Sequence, residues 1–143
     1  MRRSERKWTG PRKAAILVEL AILLPVTILL SWGIIDLSRF AHHYVSLTDA
    51  AGSGARFASL HPVTPTTTVY WVDATKQAVR QAMQDVPGFR VDQLTIDGPQ
   101  LIQVTDGQHA RLTVTYRFRP LANWPALPRE IVLTRRVEMK LVR

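Results

Sequence analysis

The sequence predicts an α+β protein in which a long N-terminal helix crosses a membrane and continues as a stem beneath a small head. Three observations support this fold class. An unbroken apolar run begins at residue 14, a three-and-four spacing of apolar residues follows it, and the spacing changes to two in the C-terminal half. The 143-residue chain therefore holds one modest folded domain besides its anchor.

The apolar run extends from Ala14 to Ile35 and contains one ionisable side chain, that of Glu19. Counting residues 15–35 as helix gives a length of about 31 Å, which matches a hydrocarbon core of about 30 Å. A cleaved secretory signal has a shorter apolar core and a small-x-small site after it. We therefore predict a transmembrane helix over residues 15–35. Pro25 lies near its middle and is predicted to kink it, because proline lacks a backbone N–H.

Charge is concentrated immediately before this helix. The net charge is +8, and residues 1–13 hold six basic residues and one acidic residue. Such a basic flank indicates a cytoplasmic N-terminus, with residues 1–14 as a leader and the head outside the cytoplasm. The rest of the chain carries no basic stripe of the kind that binds a phosphate backbone, so we expect no nucleic-acid partner.

Beyond the membrane, residues 36–58 keep an apolar face at helical spacing and are predicted to form a stem. Small residues near Gly54 allow a close approach by the protein's own head or by a partner helix, and Gly54 also marks a point where the stem is predicted to kink or end. Residues 59–72 contain prolines and threonines and are predicted to form a linker.

The head is predicted over residues 73–143, as one amphipathic helix against three or four antiparallel strands. Asp73 is a candidate N-cap, and Pro87-Gly88 ends the helix. The predicted strands cover residues 91–96, 101–105, 110–118 and 130–142. A turn at residues 97–99 separates the first two, and Asp106-Gly107 is a hairpin signal. Arg135 interrupts the apolar face of the last strand, which predicts a bulge or an edge position reaching solvent.

Candidate catalytic and metal-binding residues are few. The chain has no cysteine, no glycine-rich phosphate loop and no H-E-x-x-H motif, so we expect no enzymatic activity, no cofactor and no small-molecule substrate. His42 and His43 are adjacent, and adjacent helical residues point about 100° apart. We therefore predict no metal site there, and expect both to lie on a solvated stem.

Four segments together resemble a known family: RKAAILVELAILLP, GIIDLSRF, AAGSGARFAS and, near the C-terminus, VTYRFRPL. They are similar to the TadE-like pseudopilins, minor components of the tight-adherence (Flp-type) branch of type IV pilus systems. The resemblance implies cleavage by a prepilin-type peptidase between Ala14 and Ala15, five residues ahead of a glutamate. Glu19 would then be the fifth residue of the mature chain. Ala14 stands where the family usually has glycine.

The resemblance implies a pseudopilin-like component of pilus assembly or secretion. It would be a single-pass protein of the bacterial inner membrane, with a periplasmic head and a possible place in the pilus. Its partners would be the lipid bilayer and other pilin or pseudopilin subunits, and the Glu19 carboxylate would pair with a neighbour's α-amine. Two alternatives stay open: a monomeric, membrane-tethered extracytoplasmic binding domain that is never cut at Ala14, and a protein secreted after conventional signal-peptidase cleavage.

Overall fold

The computed structural model describes residues 10–61, 63, 64, 66–105, 107–122 and 128–142. Two helices are followed by a short 3₁₀ turn and three strands: α1 (Gly10–Leu60), α2 (Thr68–Gln84), the turn Val91–Gln93, then β1 (Leu94–Val104), β2 (Gly107–Phe118) and β3 (Ile131–Lys140). The architecture is α+β with an anchor helix and a small head, which confirms the predicted fold class. Residues 1–9 of the predicted leader lie outside the described residues.

The chain divides into two compact units between Leu37 and Ser38. In the first unit, the side chains of residues 13–32 are exposed and nearly all of them are apolar, whereas Asp36 is buried. An apolar surface on all sides is the pattern of a helix that needs an apolar environment. This is the one helix among the described residues that is long and apolar enough to cross a membrane. The helical assignment continues through Pro25.

The second unit is the head, and its sheet has the antiparallel order β1-β2-β3. β2 is central because it pairs with both β1 and β3. Its alternate residues from Ala110 to Phe118 are buried, whereas β1 and β3 bury fewer side chains. The core forms where this face meets the C-terminal part of α1 and one face of α2. Its fully buried members include Leu47, Ala50, Ala51, Val79, Met83, Leu112 and Val114.

Two predicted strands are in fact one. β1 runs through the predicted turn at residues 97–99, and its register against β2 shifts between Asp97 and Gln100. Two residues of β1 there oppose Leu112 alone, which is a β-bulge. Gly98 occupies the bulge with φ +97°, and a Cβ on it would lie 2.8 Å from the Arg111 carbonyl oxygen. Glycine therefore bends the strand without ending it.

The start of α2 also differs from the prediction. The helix begins at Thr68 after Thr67 as its N-cap residue, and Asp73 lies inside it. Since α1 continues to Leu60, the linker is shorter than residues 59–72. The reason is Trp71, whose buried indole Nε1 donates a hydrogen bond to the Ala58 carbonyl oxygen at 3.1 Å. This long-range contact favours helix in a stretch whose threonines alone favour extended chain.

Arg135 lies on an edge strand as predicted, but the register of β3 against β2 contains no bulge. Its side chain is partly buried. The Arg135 Nε donates a hydrogen bond to the Thr48 hydroxyl at 3.0 Å, and the guanidinium lies 4.9 Å from the ring centroid of Tyr44. The cation therefore joins the sheet edge to α1 through a hydrogen bond and a cation–π contact.

Candidate functional site

The residues predicted for processing and assembly all lie in the first turns of α1. Ala14, Ala15 and Glu19 are exposed, and Ala15 and Glu19 are four positions apart, so they share one face of the helix. Their roles stay predictions. Geometrically, an amine created at Ala15 would lie about one turn from the Glu19 carboxylate of its own chain.

Around and beyond Glu19, α1 exposes a continuous apolar surface. Its large aliphatic side chains are between 50% and 69% exposed; they include Ile16, Leu20, Leu23, Val26, Leu30 and Ile34. This exposed area far exceeds what a water-soluble surface normally carries. Lipid chains or the apolar faces of other helices are the surroundings that remove such side chains from water.

The polar groups of this segment are bonded within the helix. The Thr27 hydroxyl donates to the Leu23 carbonyl oxygen at 2.9 Å, and the Ser31 hydroxyl donates to the Thr27 carbonyl oxygen at 2.8 Å. Such bonds to the preceding turn satisfy hydroxyls in an apolar medium and often bend helices. They follow Pro25 directly, so the region of the predicted kink has two features that favour bending. The kink itself stays a prediction.

The small-residue face of the stem packs on the protein's own head. Ala50, Ala51, Ala55 and Ala58 are fully buried, and α1 continues past Gly54 to Leu60. A Cβ on Gly54 would meet Val79 Cγ2 and lie 2.8 Å from Leu112 Cδ2. The glycine is needed because α1 lies so close to α2 and β2. The small residues therefore do not form an open groove for a partner helix.

His43 corrects the expectation of a solvated histidine pair. His42 is exposed, but His43 is 1% exposed and stacks on Tyr116 with ring centroids 5.2 Å apart. Its Nδ1 atom is buried and has no hydrogen-bond partner in the described part of the chain. A buried ring nitrogen without a hydrogen-bond partner lowers the free energy of unfolding by on the order of 1–3 kcal/mol. Helical spacing did carry a signal for it, because Phe40, His43 and Leu47 follow the three-and-four spacing of the inward face.

Burial lowers the pKa of His43 below its ordinary value of 6.5, and the nearby charges of Arg39 and His42 lower it further. The folded protein therefore binds this proton less readily than the unfolded chain does. We expect the free energy of unfolding to have its full value above pH 6.5 and to decline as the pH falls from 6.5 towards the lowered pKa of His43. The measurement is the free energy of unfolding of the full chain in detergent micelles at pH 5 and pH 8.

The matched variant for this prediction is His43→Phe, which keeps an aromatic ring against Tyr116 and removes the titrating group. The substitution leaves every other residue of the chain unchanged, so the comparison isolates His43. We expect a smaller loss of stability between pH 8 and pH 5 in the variant than in the wild type. An equal loss in both proteins would contradict the assignment.

His43 also lines an open cleft of about 310 Å³ in the head. The lining residues are Ser38, Arg39, His42, His43, Pro87 and Gly88. Four of them come from one segment of α1, and two come from the turn that follows α2. Within the described residues, no group of three or more histidine or acidic side chains is placed to hold a metal ion.

Comparison with protein-family models gives a match over the N-terminal part of the chain. A family model described as TadE-like protein matches residues 14–56, which is less than half of the chain and contains Ala14, Ala15, Glu19, Pro25 and His43. The match confirms the resemblance inferred from the residues of this segment and suggests a Tad pilus-associated component. No curated protein and no solved structure matches the chain.

Proposed function

We propose that this protein is a pseudopilin-like, membrane-anchored component of a Tad/Flp-type pilus or secretion apparatus. Its work is assembly: α1 packs with the apolar helices of other pilin subunits, and the head is carried outside the cytoplasm. The observation that carries the proposal is that the TadE-like match begins at Ala14 and covers the exposed apolar length of α1 with its one carboxylate.

The anchoring part of the proposal depends on residues 15–35. Apart from Glu19, Thr27 and Ser31 their side chains are apolar, and the large apolar ones are at least half exposed, so the segment is more stable in lipid than in water. The basic residues before them favour a cytoplasmic N-terminus by the positive-inside rule, so the proposal has the head on the periplasmic side of the inner membrane. A prepilin-type peptidase acting on the cytoplasmic side would meet the Ala14–Ala15 bond at this boundary.

The assembly part depends on Glu19. A carboxylate in the apolar span costs on the order of 2.5–3.5 kcal/mol near the bilayer centre and less near its edge. Cleavage at Ala15 creates a cationic amine, and in an assembly the amine of one subunit can pair with the Glu19 carboxylate of the next. Removing one member of such a buried pair costs about 3–5 kcal/mol, because the other charge is left unpaired.

Replacing Glu19 with alanine is therefore expected to leave membrane insertion intact and to reduce co-assembly by on the order of a hundredfold. The measurement is the amount of protein that co-purifies with pilin subunits, and that is recovered in sheared filaments, from cells that carry a Tad system. Asp49→Ala is the control, since it removes an exposed acid from the same helix.

Two further measurements accompany this test. Alkaline carbonate washing must leave both variants in the membrane pellet, and mass spectrometry of the wild type must find a chain that begins at Ala15. An intact leader together with equal co-assembly of the Glu19→Ala and Asp49→Ala variants would support the tethered binding domain instead. A chain that begins beyond residue 35 would support secretion.

A further inference from the structure

The cleft beside His43 has the composition of a site for an anionic, amphipathic group. Arg39, His42 and the Ser38 hydroxyl supply hydrogen-bond donors, and none of the described residues that line the cleft is acidic. The Arg39 guanidinium lies 5.5 Å from the ring centroid of Phe118, which is a cation–π contact. Pro87 and Gly88 add carbon surface to the lining of the cleft.

His43 also lines the cleft, but its Nδ1 atom is buried. The hydrogen-bond donors that line the cleft from exposed or half-buried residues are those of Ser38, Arg39 and His42.

The position of the cleft in the chain indicates the source of the anion. Ser38, Arg39 and His42 follow Ile35, the last residue of the proposed span, by three, four and seven positions. At 1.5 Å per residue, Ser38 and Arg39 follow the end of the proposed span by about 5–6 Å, a distance that lies within the headgroup layer and its phosphates. A headgroup phosphate is therefore the anion that the cleft meets at the highest local concentration.

We propose that this cleft binds the phosphodiester group of an anionic phospholipid, with Arg39 and His42 against the phosphate. Ser38 adds a hydroxyl donor, and Pro87 and Gly88 add carbon surface to the lining. The inference rests on the proposed function, because the lipid reaches the cleft through membrane anchoring. Binding holds the residues that line the cleft at the membrane surface.

The test uses the full chain in dodecyl maltoside micelles, with lipid retention followed by native mass spectrometry. Dioleoyl phosphatidylglycerol, dioleoyl phosphatidylcholine and inorganic phosphate are added in separate arms. We expect one phosphatidylglycerol to be retained in preference to phosphatidylcholine, and Arg39→Gln to weaken this binding on the order of tenfold, as loss of a charge-assisted hydrogen bond does.

The matched control is Arg56→Gln, which removes the same charge from an exposed position on the same helix. It is expected to leave phosphatidylglycerol binding unchanged. His42→Gln is the second test variant, because His42 is exposed and its replacement leaves the core intact. It is expected to weaken binding in the same direction as Arg39→Gln.

The outcomes separate the lipid site from its rivals. Equal weakening by Arg39→Gln and Arg56→Gln would overturn the proposal in favour of general charge attraction. Inorganic phosphate that shifts the His42 and His43 imidazole resonances, without any preference between the lipids, would overturn it in favour of a free anion. If carbonate washing releases the chain, the anchoring proposal fails; if the chain stays in the membrane and shows no lipid preference, the cleft proposal alone fails.

Discussion

Replacing Trp71 with alanine is expected to lower the free energy of unfolding of the head by about 3–5 kcal/mol, the usual cost of removing a buried aromatic side chain. Trp71 is 3% exposed and packs with Ala58 and Ala110 in a second buried cluster. Its indole N–H also satisfies the Ala58 carbonyl oxygen near the end of α1. Loss of the ring therefore leaves both a cavity and an unpaired carbonyl.

The measurement is amide hydrogen exchange of the β2 backbone in the full chain held in detergent micelles, where the most protected amides report opening of the head. Tyr70→Ala is the control, because Tyr70 is the neighbouring aromatic residue and is 74% exposed. We expect it to change stability by less than about 0.5 kcal/mol. Similar losses in the two variants would show that Trp71 is not a core residue.

Replacing Gly54 with alanine is expected to destabilise the head even though alanine is the better helix former. The helix gains about 1 kcal/mol from the substitution. The new methyl group, however, meets the Val79 and Leu112 side chains, and overpacking of this kind costs about 1–3 kcal/mol. The Val79 side chain cannot easily rotate away from the new methyl group, because a β-branched side chain in a helix has one strongly preferred rotamer.

Gly52→Ala is the matched control for this prediction, since a Cβ at Gly52 meets no atom within 4 Å. It is expected to stabilise α1 by up to about 1 kcal/mol. In the double variant Gly54→Ala with Val79→Ala, the loss in free energy of unfolding should be smaller than the sum of the losses in the two single variants. The reason is that the cavity left by Val79→Ala receives the methyl group added by Gly54→Ala. Additive losses would mean that α1 and α2 are not in close contact at this point.

The two variants also bear on the proposed function. The small residues of the stem are occupied by the head, so the surface left for other pilin helices is the apolar length of α1 before Ser38. A head loosened by Gly54→Ala would expose part of the stem without altering Glu19. Assembly defects of the Glu19→Ala and Gly54→Ala variants are therefore expected to differ, with only the second accompanied by faster amide exchange in β2.

Features that depend on local spacing were predictable from sequence. The apolar run around Glu19, the amphipathic face of α2 and the alternation along β2 are each set by residues that are neighbours in the chain, and the structure confirms the elements that they predict. The TadE-like match over residues 14–56 likewise falls on the segment with the most regular pattern.

Features that depend on contacts between distant residues were not predictable. Gly98 and Pro99 are typical of a turn, yet pairing with β2 keeps them within one strand. The Thr-rich segment before Asp73 favours extended chain, yet it is helical in α2, where the Trp71 indole N–H donates a hydrogen bond to the Ala58 carbonyl oxygen. In both cases the free energy of a long-range contact exceeds a local preference of about 1 kcal/mol.

By itself, then, the amino-acid sequence determined that this protein has an apolar anchor helix with one carboxylate, a basic N-terminal flank and an α+β head. Only the tertiary structure decided that the stem is buried by its own head, that Gly54 must lack a side chain and that His43 lies in the core beside a cleft. The physical reason is that periodicity specifies which face of an element is turned inward, whereas the neighbours on that face come from parts of the chain far away in sequence.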